Sequence, residues 1–160
     1  MHEHKPRRRF SQHWLQDQTI LDKIIISADI RPEDEILEIG PGKGVLTSKL
    51  LKTQAMKIHS VEIDNDLICT LSKKFVNFSS FVLTHGDALL VPLHDLKGNY
   101  SNKVVANIPY NITGPILKRL LGSLGKPAEH IYERMVLLVQ KEVADRILAI
   151  PGSKSFSALS

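Results

Sequence analysis

The chain carries one cysteine, Cys69, among 160 residues. A single thiol cannot close an internal disulfide, which fits a reducing compartment. Its place in an apolar helical pattern, with no base set beside it, marks it as core filler and not as a nucleophile. No apolar run approaches the roughly 20 residues that span a bilayer, so no membrane helix is expected. The opening stretch from Met1 to Arg9 is charged, holds Glu3 among its basic residues, and has no apolar segment behind it. That composition argues against a secretory leader or a transit peptide, and a cytoplasmic protein is expected. Seven histidines are scattered without metal-ligand spacing, so no metal is expected. Internal repeats and low-complexity tracts are also missing.

What remains suits one globular domain whose core needs no staples. The formal charge of +4 is mildly basic and compatible with nucleic acid. Lys5, Arg7, Arg8 and Arg9 cluster before the first apolar helix. The cluster is either a solvated tail or an arm that contacts phosphates. Residues 1–16 are therefore read as a basic N-terminal arm and residues 17–160 as the folded domain.

Apolar periodicity alternates between strand and helix. Ile20, Leu21, Ile24, Ile25 and Ala28 predict a helix over about Thr19 to Ala28. Glu35 to Ile39 reads as a buried strand running into glycines, with Leu46, Leu50 and Leu51 on the next helix. A second strand is expected near Lys57 to Glu62, followed by a helix capped by Asp64 or Asn65 and carrying Leu67, Ile68, Leu71 and Phe75. The third strand is expected at Ser80 to Thr84 and the fourth at Lys103 to Ala106. Ile116, Leu117, Leu120, Leu121 and Leu124 then form one helix face, with Pro115 in the first turn. Met135 to Val139 is the fifth strand. Val143, Ala144, Ile147 and Leu148 line a last helix stopped by Pro151-Gly152. Five such units in series imply an α/β fold, a mostly parallel open sheet with helices on both faces.

Four strand ends carry chemistry. Glu38-Ile39-Gly40-Pro41-Gly42-Lys43-Gly44 lets the backbone approach a ligand closely and aims a helix N-terminus at it. It departs from the dinucleotide fingerprint, because the third glycine should stand where Val45 does. Glu62 can accept from two ribose hydroxyls, or is an exposed strand-end acid. Asp87 can accept from an adenine amine, or caps the next turn. Asn107-Ile108-Pro109-Tyr110 offers two uncharged acceptors, the Asn107 amide oxygen and the carbonyl preceding Pro109. Together they can take both protons of an amine on a planar ring and free its lone pair for in-line attack. Tyr110 offers a stacking face for an extruded base.

These motifs, with Val61-Glu62-Ile63-Asp64 and Gly86-Asp87-Ala88, resemble the rRNA adenine N6-dimethyltransferases, and within them the KsgA-type small-subunit enzymes. Arg7-Arg8-Arg9-Phe10-Ser11-Gln12-His13-Trp14-Leu15 is similar to that family's N-terminal motif, as is Gln140-Lys141-Glu142-Val143-Ala144 after the fifth strand. The resemblance runs from about Arg7 to Ser160. It implies a Rossmann-like class I methyltransferase fold and S-adenosylmethionine as cofactor. His13, Leu15, Gly40, Glu62, Asp87 and Asn107 would line the cofactor site, and Gly42 would shape the loop beside its methionine end. Asn107, Pro109 and Tyr110 would hold the target adenine, and Arg7, Arg8 and Arg9 would contact RNA. The implied reaction dimethylates two adjacent adenosines near the 3′ end of small-subunit rRNA, on the immature subunit, by a monomeric enzyme without metal or covalent enzyme intermediate. The family has Gly and Phe where this chain has Ser11 and Trp14. It also continues into two further strands and a helical domain, so this sequence is expected to be a C-terminally truncated fragment.

Three rival readings remain. The erythromycin-resistance methylases act on large-subunit rRNA and share the Asn-Ile-Pro-Tyr motif, but Pro41 and the Arg7-Arg8-Arg9 run favour the small-subunit reading. The second rival is a non-catalytic ribosome-assembly or RNA-binding factor. A nicotinamide-dependent dehydrogenase would need the glycine spacing that Val45 spoils.

Overall fold

The computed structural model of the protein describes residues 17–93, 96, 100–123, 125–128 and 132–154. Helix α1 (Gln18–Ala28) opens at Asp17, whose carboxylate accepts from Thr19 N at 2.8 Å and Ile20 N at 3.3 Å. This satisfies two of the free N–H groups of the first turn. Strands β1 (Glu35–Ile39), β2 (Lys57–Glu62), β3 (Phe81–His85) and β4 (Lys103–Asn107) alternate with helices α2 (Val45–Leu50) and α3 (Asn65–Lys74). After β4 come a short 3₁₀ turn (Tyr110–Ile112), helix α4 (Thr113–Leu121), the two-residue strands β5 (Gly122–Ser123) and β6 (Lys126–Pro127), strand β7 (Arg134–Leu138) and helix α5 (Lys141–Ile147).

The main sheet has the order β3-β2-β1-β4-β7, and every pair in it is parallel. The chain builds outward from β1 to β3, then returns to the other side of β1 with β4 and β7. The point of return lies between β1 and β4, where open α/β sheets bind ligands at the carboxyl ends of their strands.

Both faces are covered. On one, α1 and α2 bury Leu21, Ile24, Ala28, Leu46 and Leu50 against Ile36, Ile58 and Val105. Helix α3 extends this layer with Leu67, Leu71 and Phe75, packed on Phe81 and Leu83. On the other, Ile116 and Leu120 of α4 meet Leu37, Ile39, Val61, Val104 and Ala106, with Leu93 and Leu96 filling in. Each fully buried leucine or isoleucine contributes about 1.5–3 kcal/mol.

Several expectations are corrected. Cys69 is exposed, because the buried face of α3 runs through Leu67 and Leu71 and Cys69 projects from the opposite side. The third strand is shifted by one residue, to Phe81–His85. Helix α4 stops at Leu121, half exposed, because Gly122 at φ 85° turns the chain into the β5–β6 pair; Leu124 lies outside the described residues. Helix α5 ends at Ile147 with Leu148 as its cap, and has no buried residue. Val143 and Ala144 are half-buried, whereas Ile147 and Leu148 are exposed, so the expected face has no second layer among the described residues.

The amino ends of the central strands are tied by a buried polar cluster. Lys103 Nζ donates to Asp34 Oδ2 at 2.7 Å and to the Asp29 carbonyl, and Arg31 N donates to the same Asp34 oxygen at 2.6 Å. Asn102 bridges the strands, donating to Asp34 Oδ1 at 2.8 Å and accepting from Glu35 N at 2.9 Å. Burial pushes the Asp34 carboxyl up, but these donors together hold it below the usual carboxylate range. Removing one partner would strand the other charge in the core. Asp34→Ala is expected to cost about 3–5 kcal/mol in urea unfolding, and adding Lys103→Met should recover much of the loss. A cost no larger than that of Asp22→Ala, at the exposed Asp22–Lys49 pair, would refute this role.

Candidate active site

The register brings the four sequence-predicted strand ends side by side. Across the sheet they run Asp87 after β3, Glu62 ending β2, Gly40 after β1 and Asn107 ending β4. With strands about 4.8 Å apart, the row spans about 14 Å.

The loop after β1 is shaped by glycines at positive φ: Gly40 at 68°, Gly42 at 58° and Gly44 at 71°. Gly40 N donates to Val61 O at 2.9 Å, and Gly44 N to Pro41 O at 2.9 Å. A Cβ on Gly40 would stand 3.5 Å from Cδ and Cγ of Pro109, so the loops of β1 and β4 share a wall. A Cβ on Gly44 would fall 2.7–2.9 Å from Leu71 and Phe75, so only glycine lets α3 pack there. Val45 begins α2 directly after Gly44, which explains why the spacing departs from the dinucleotide fingerprint.

Glu62 is 5 % exposed, which overturns the alternative of an exposed strand-end acid. Its Oε1 accepts from Ile63 N and Asp64 N, both at 2.9 Å, and its Oε2 accepts from Gly42 N at 3.2 Å. Burial raises its carboxyl above the ordinary range against these three donors, with Asp64 adding repulsion. The side chain is held rigid, and Oε2 keeps a lone pair for a further donor.

Asp87 is half-buried and does cap the next turn, through Oδ1 to Leu89 N at 2.8 Å. That leaves Oδ2 without a hydrogen bond among the described residues, so the capping and ligand readings coexist. Arg119 of α4 steadies this loop, donating to the carbonyls of Val91 at 2.9 Å and Ala88 at 3.3 Å.

At the end of β4, Asn107 and Pro109 are half-buried and Tyr110 is 41 % exposed. The Pro109 carbonyl is taken by Ile112 N at 3.1 Å and Thr113 Oγ1 at 3.2 Å. The Ile108 carbonyl, which precedes the proline, accepts no hydrogen bond among the described residues. His13, Leu15, Arg7, Arg8 and Arg9 lie outside the described residues.

Beneath the loop sits an acid to which the sequence reading gave no role. Glu38 is 1 % exposed, and its Oε2 accepts from Ser60 Oγ at 2.6 Å and Thr47 Oγ1 at 2.8 Å, joining β1 to β2 and α2. Its Oε1 has no partner among the described residues. Burial pushes the carboxyl up to about 7, the two hydroxyls oppose the shift, and Glu62 adds repulsion. The signal was legible: an acid inside the apolar run Ile36-Leu37-Glu38-Ile39 demands local partners.

A family profile described as Ribosomal RNA adenine dimethylase matches residues 3–160. A Ribosomal RNA small subunit methyltransferase A of Prochlorococcus marinus is 59% identical over 157 residues, which are 98% of this chain and 56% of that protein. Among solved structures, a dimethyladenosine transferase from Plasmodium falciparum aligns with a TM-score of 0.79 and 34% identity, over 92% of this chain and 50% of that one. The 23S rRNA methyltransferase ErmE aligns with a TM-score of 0.68 and 30% identity, over 84% of this chain and 50% of that one. The fold is the Rossmann-like class I methyltransferase fold, and the chain spans about half the length of the relatives it matches.

The raised carboxyl of Glu38 has a stability consequence with a definite sign. Below about pH 4.5 both folded and unfolded chains hold the proton, and nothing is lost. As pH rises from 4.5 to about 7 the unfolded chain ionises first, so stability falls; above about 7 the loss is complete. Glu38→Gln keeps an acceptor for Ser60 and Thr47 without the charge. It is expected to be more stable than the parent by on the order of 3 kcal/mol at pH 8, with no difference at pH 4. Urea unfolding at both values checks this, and a pH-independent difference would contradict it.

Proposed function

The chain belongs to the ribosomal RNA adenine dimethylase family, and from that premise we propose that it transfers methyl groups from S-adenosylmethionine to the N6 amines of two adjacent adenosines near the 3′ end of small-subunit rRNA. The immature small ribosomal subunit is the substrate, and the modification belongs to ribosome biogenesis in the cytoplasm. Residues 17–160 act as the cofactor-binding catalytic domain of a monomer, and residues 1–16 as a basic arm whose Arg7, Arg8 and Arg9 contact RNA phosphates.

The observation that carries the reading is the order of the four strand ends. Asp87, Glu62, the Gly40–Gly44 loop and Asn107 follow one another across adjacent strands. A nucleoside joined to an amino acid presents an adenine amine, ribose hydroxyls and a charged amino-acid end in that sequence. Asp87 Oδ2 suits the amine, the remaining lone pair of Glu62 Oε2 suits a ribose hydroxyl, and the glycine loop, with Gly40 and Gly42, lets backbone approach the methionine end. Asn107 stands at the cofactor end of the row, with His13 and Leu15 assigned beside it from the family's N-terminal motif. When bound, the cofactor supplies an electrophilic methyl group on a sulfonium.

The acceptor side lies across the Gly40–Pro109 wall. The Asn107 amide oxygen and the Ile108 carbonyl are two neutral acceptors for the two protons of an adenine amine. Accepting both favours a pyramidal nitrogen whose lone pair is directed at the methyl group. Pro109 fixes this carbonyl by ending the strand, and its own carbonyl is already committed to the 3₁₀ turn. Tyr110 is exposed enough to stack on the flipped base.

The test uses labelled S-adenosylmethionine with small ribosomal subunits that lack dimethyladenosine and, in a separate reaction, with large ribosomal subunits, and reads each rRNA digest by mass spectrometry. Dimethyladenosine is expected, with Asn107→Ala slowing its formation about 100-fold or more. Tyr110→Ala should lower kcat/KM by roughly 5- to 150-fold, the worth of one stacked base. Product on large-subunit rRNA alone would favour the ErmE-like reading. Absence of product on either, or assembly activity that survives Asn107→Ala, would leave a non-catalytic RNA-binding role.

A further inference from the structure

The glycine loop is gripped from outside by α3, and the grip contains an ammonium with no carboxylate at ion-pair distance among the described residues. Lys74 Nζ donates to the Lys43 carbonyl at 2.9 Å and to the Gly44 carbonyl at 3.2 Å, some thirty positions back along the chain. Its neighbours on the same helix, Leu71 and Phe75, fill the space that a Cβ on Gly44 would need. The ammonium also lies 5.0 Å from the centre of the Phe75 ring. Among the described residues no carboxylate stands within ion-pair distance of Lys74. Desolvation depresses this amine below the ordinary lysine range, with the charge of Glu38 opposing. Lys74 is an exposed residue, and an exposed lysine in need only of solvation extends into water. This one is committed to two carbonyls of the loop that would hold the cofactor.

We infer that Lys74 is a positioning residue for the methyl donor, its ammonium fixing the peptides of Lys43 and Gly44 so that the Gly40–Gly44 loop keeps its ligand-receiving shape. The inference rests on the proposed cofactor site. The Gly44 carbonyl also accepts from Ser48 N at 3.1 Å and Ser48 Oγ at 2.6 Å, which anchors it to α2. Lys74 reaches one peptide further into the loop, to the Lys43 carbonyl, and links both peptides to α3. Without it the loop keeps its bonds at Gly42 and Gly44, while the Lys43 and Gly44 peptides lose their tie to α3.

The experiment is calorimetric titration of the 160-residue chain with S-adenosylhomocysteine, for the parent, Lys74→Met and Lys74→Arg. Lys74→Met is expected to bind about 10-fold more weakly at pH 7.5, and Lys74→Arg within about 3-fold of the parent, since hydrogen bonds from a charged donor are the stronger kind. A pH series from about 8 to 10.5 separates positioning from general packing, because it spans the range below the ordinary lysine value. The amine of Lys74 loses its charge as pH rises through its depressed range, so the parent's affinity should fall further than that of Lys74→Arg. The ligand's own amine titrates alike in both. Of the charged groups acting on Lys74, Glu38 titrates at about 7, below this window, and Lys43 meets it through its carbonyl. Equal affinity of Lys74→Met and parent, or identical pH profiles for parent and Lys74→Arg, would overturn the inference while leaving the cofactor site standing. If the parent fails to bind, the proposed function falls for this chain and the inference with it. If Lys74→Met does not fold, the parent and Lys74→Arg profiles decide alone.

Discussion

Strand β1 is the constraint around which the molecule is arranged. Both of its edges are paired, to β2 and β4, and both of its faces are covered by helices or loops. A strand enclosed in this way has only its two ends at which polar groups can be used. At the amino end the cluster of Asp34, Lys103 and Asn102 closes the structure. At the carboxyl end the backbone opens into the glycine loop. The neighbouring strands stop at the same level, and the candidate ligand crevice is the consequence of that shared limit.

Glu38 is where the cost of this arrangement collects. A carboxyl enclosed between two hydroxyls, one on α2 and one on β2, fixes the base of the loop but stands close to a second buried acid, Glu62. The molecule accepts this repulsion and gives Glu62 three backbone donors, which oppose the upward push of burial. Two acids in adjacent strands thus divide the work: one braces the base of the loop through side-chain hydroxyls, the other holds the loop through backbone N–H groups.

The strands were readable because a buried parallel strand is a short apolar run with sharp ends, and β1 and β2 match the sequence reading residue for residue. Strand β3 slipped by one because Ser80 and His85 are equally plausible ends for Phe81-Val82-Leu83-Thr84. Helix α4 is shorter than expected because Leu124 keeps the apolar period, while the turn at Gly122 depends on the pairing with β6. The candidate site residues at strand ends are legible as motifs. Lys74 and Arg119 are not, since each acts on carbonyls about 30 positions away and a surface lysine or arginine carries no local sign of such a duty. Glu38 could have been found from its apolar surroundings alone.

The closeness of Gly40 and Pro109 has a thermodynamic corollary. One residue belongs to the loop assigned to the donor and the other to the loop assigned to the acceptor, and a single methyl group on Gly40 would bridge the space between them. A ligand that displaces either loop does work on the other, and such coupling is reciprocal: the free energy by which the donor alters the grip on the target base equals that by which the base alters the grip on the donor. Under the proposed function, binding of the donor and binding of the target base would be linked decisions, set at a gap one methyl group wide.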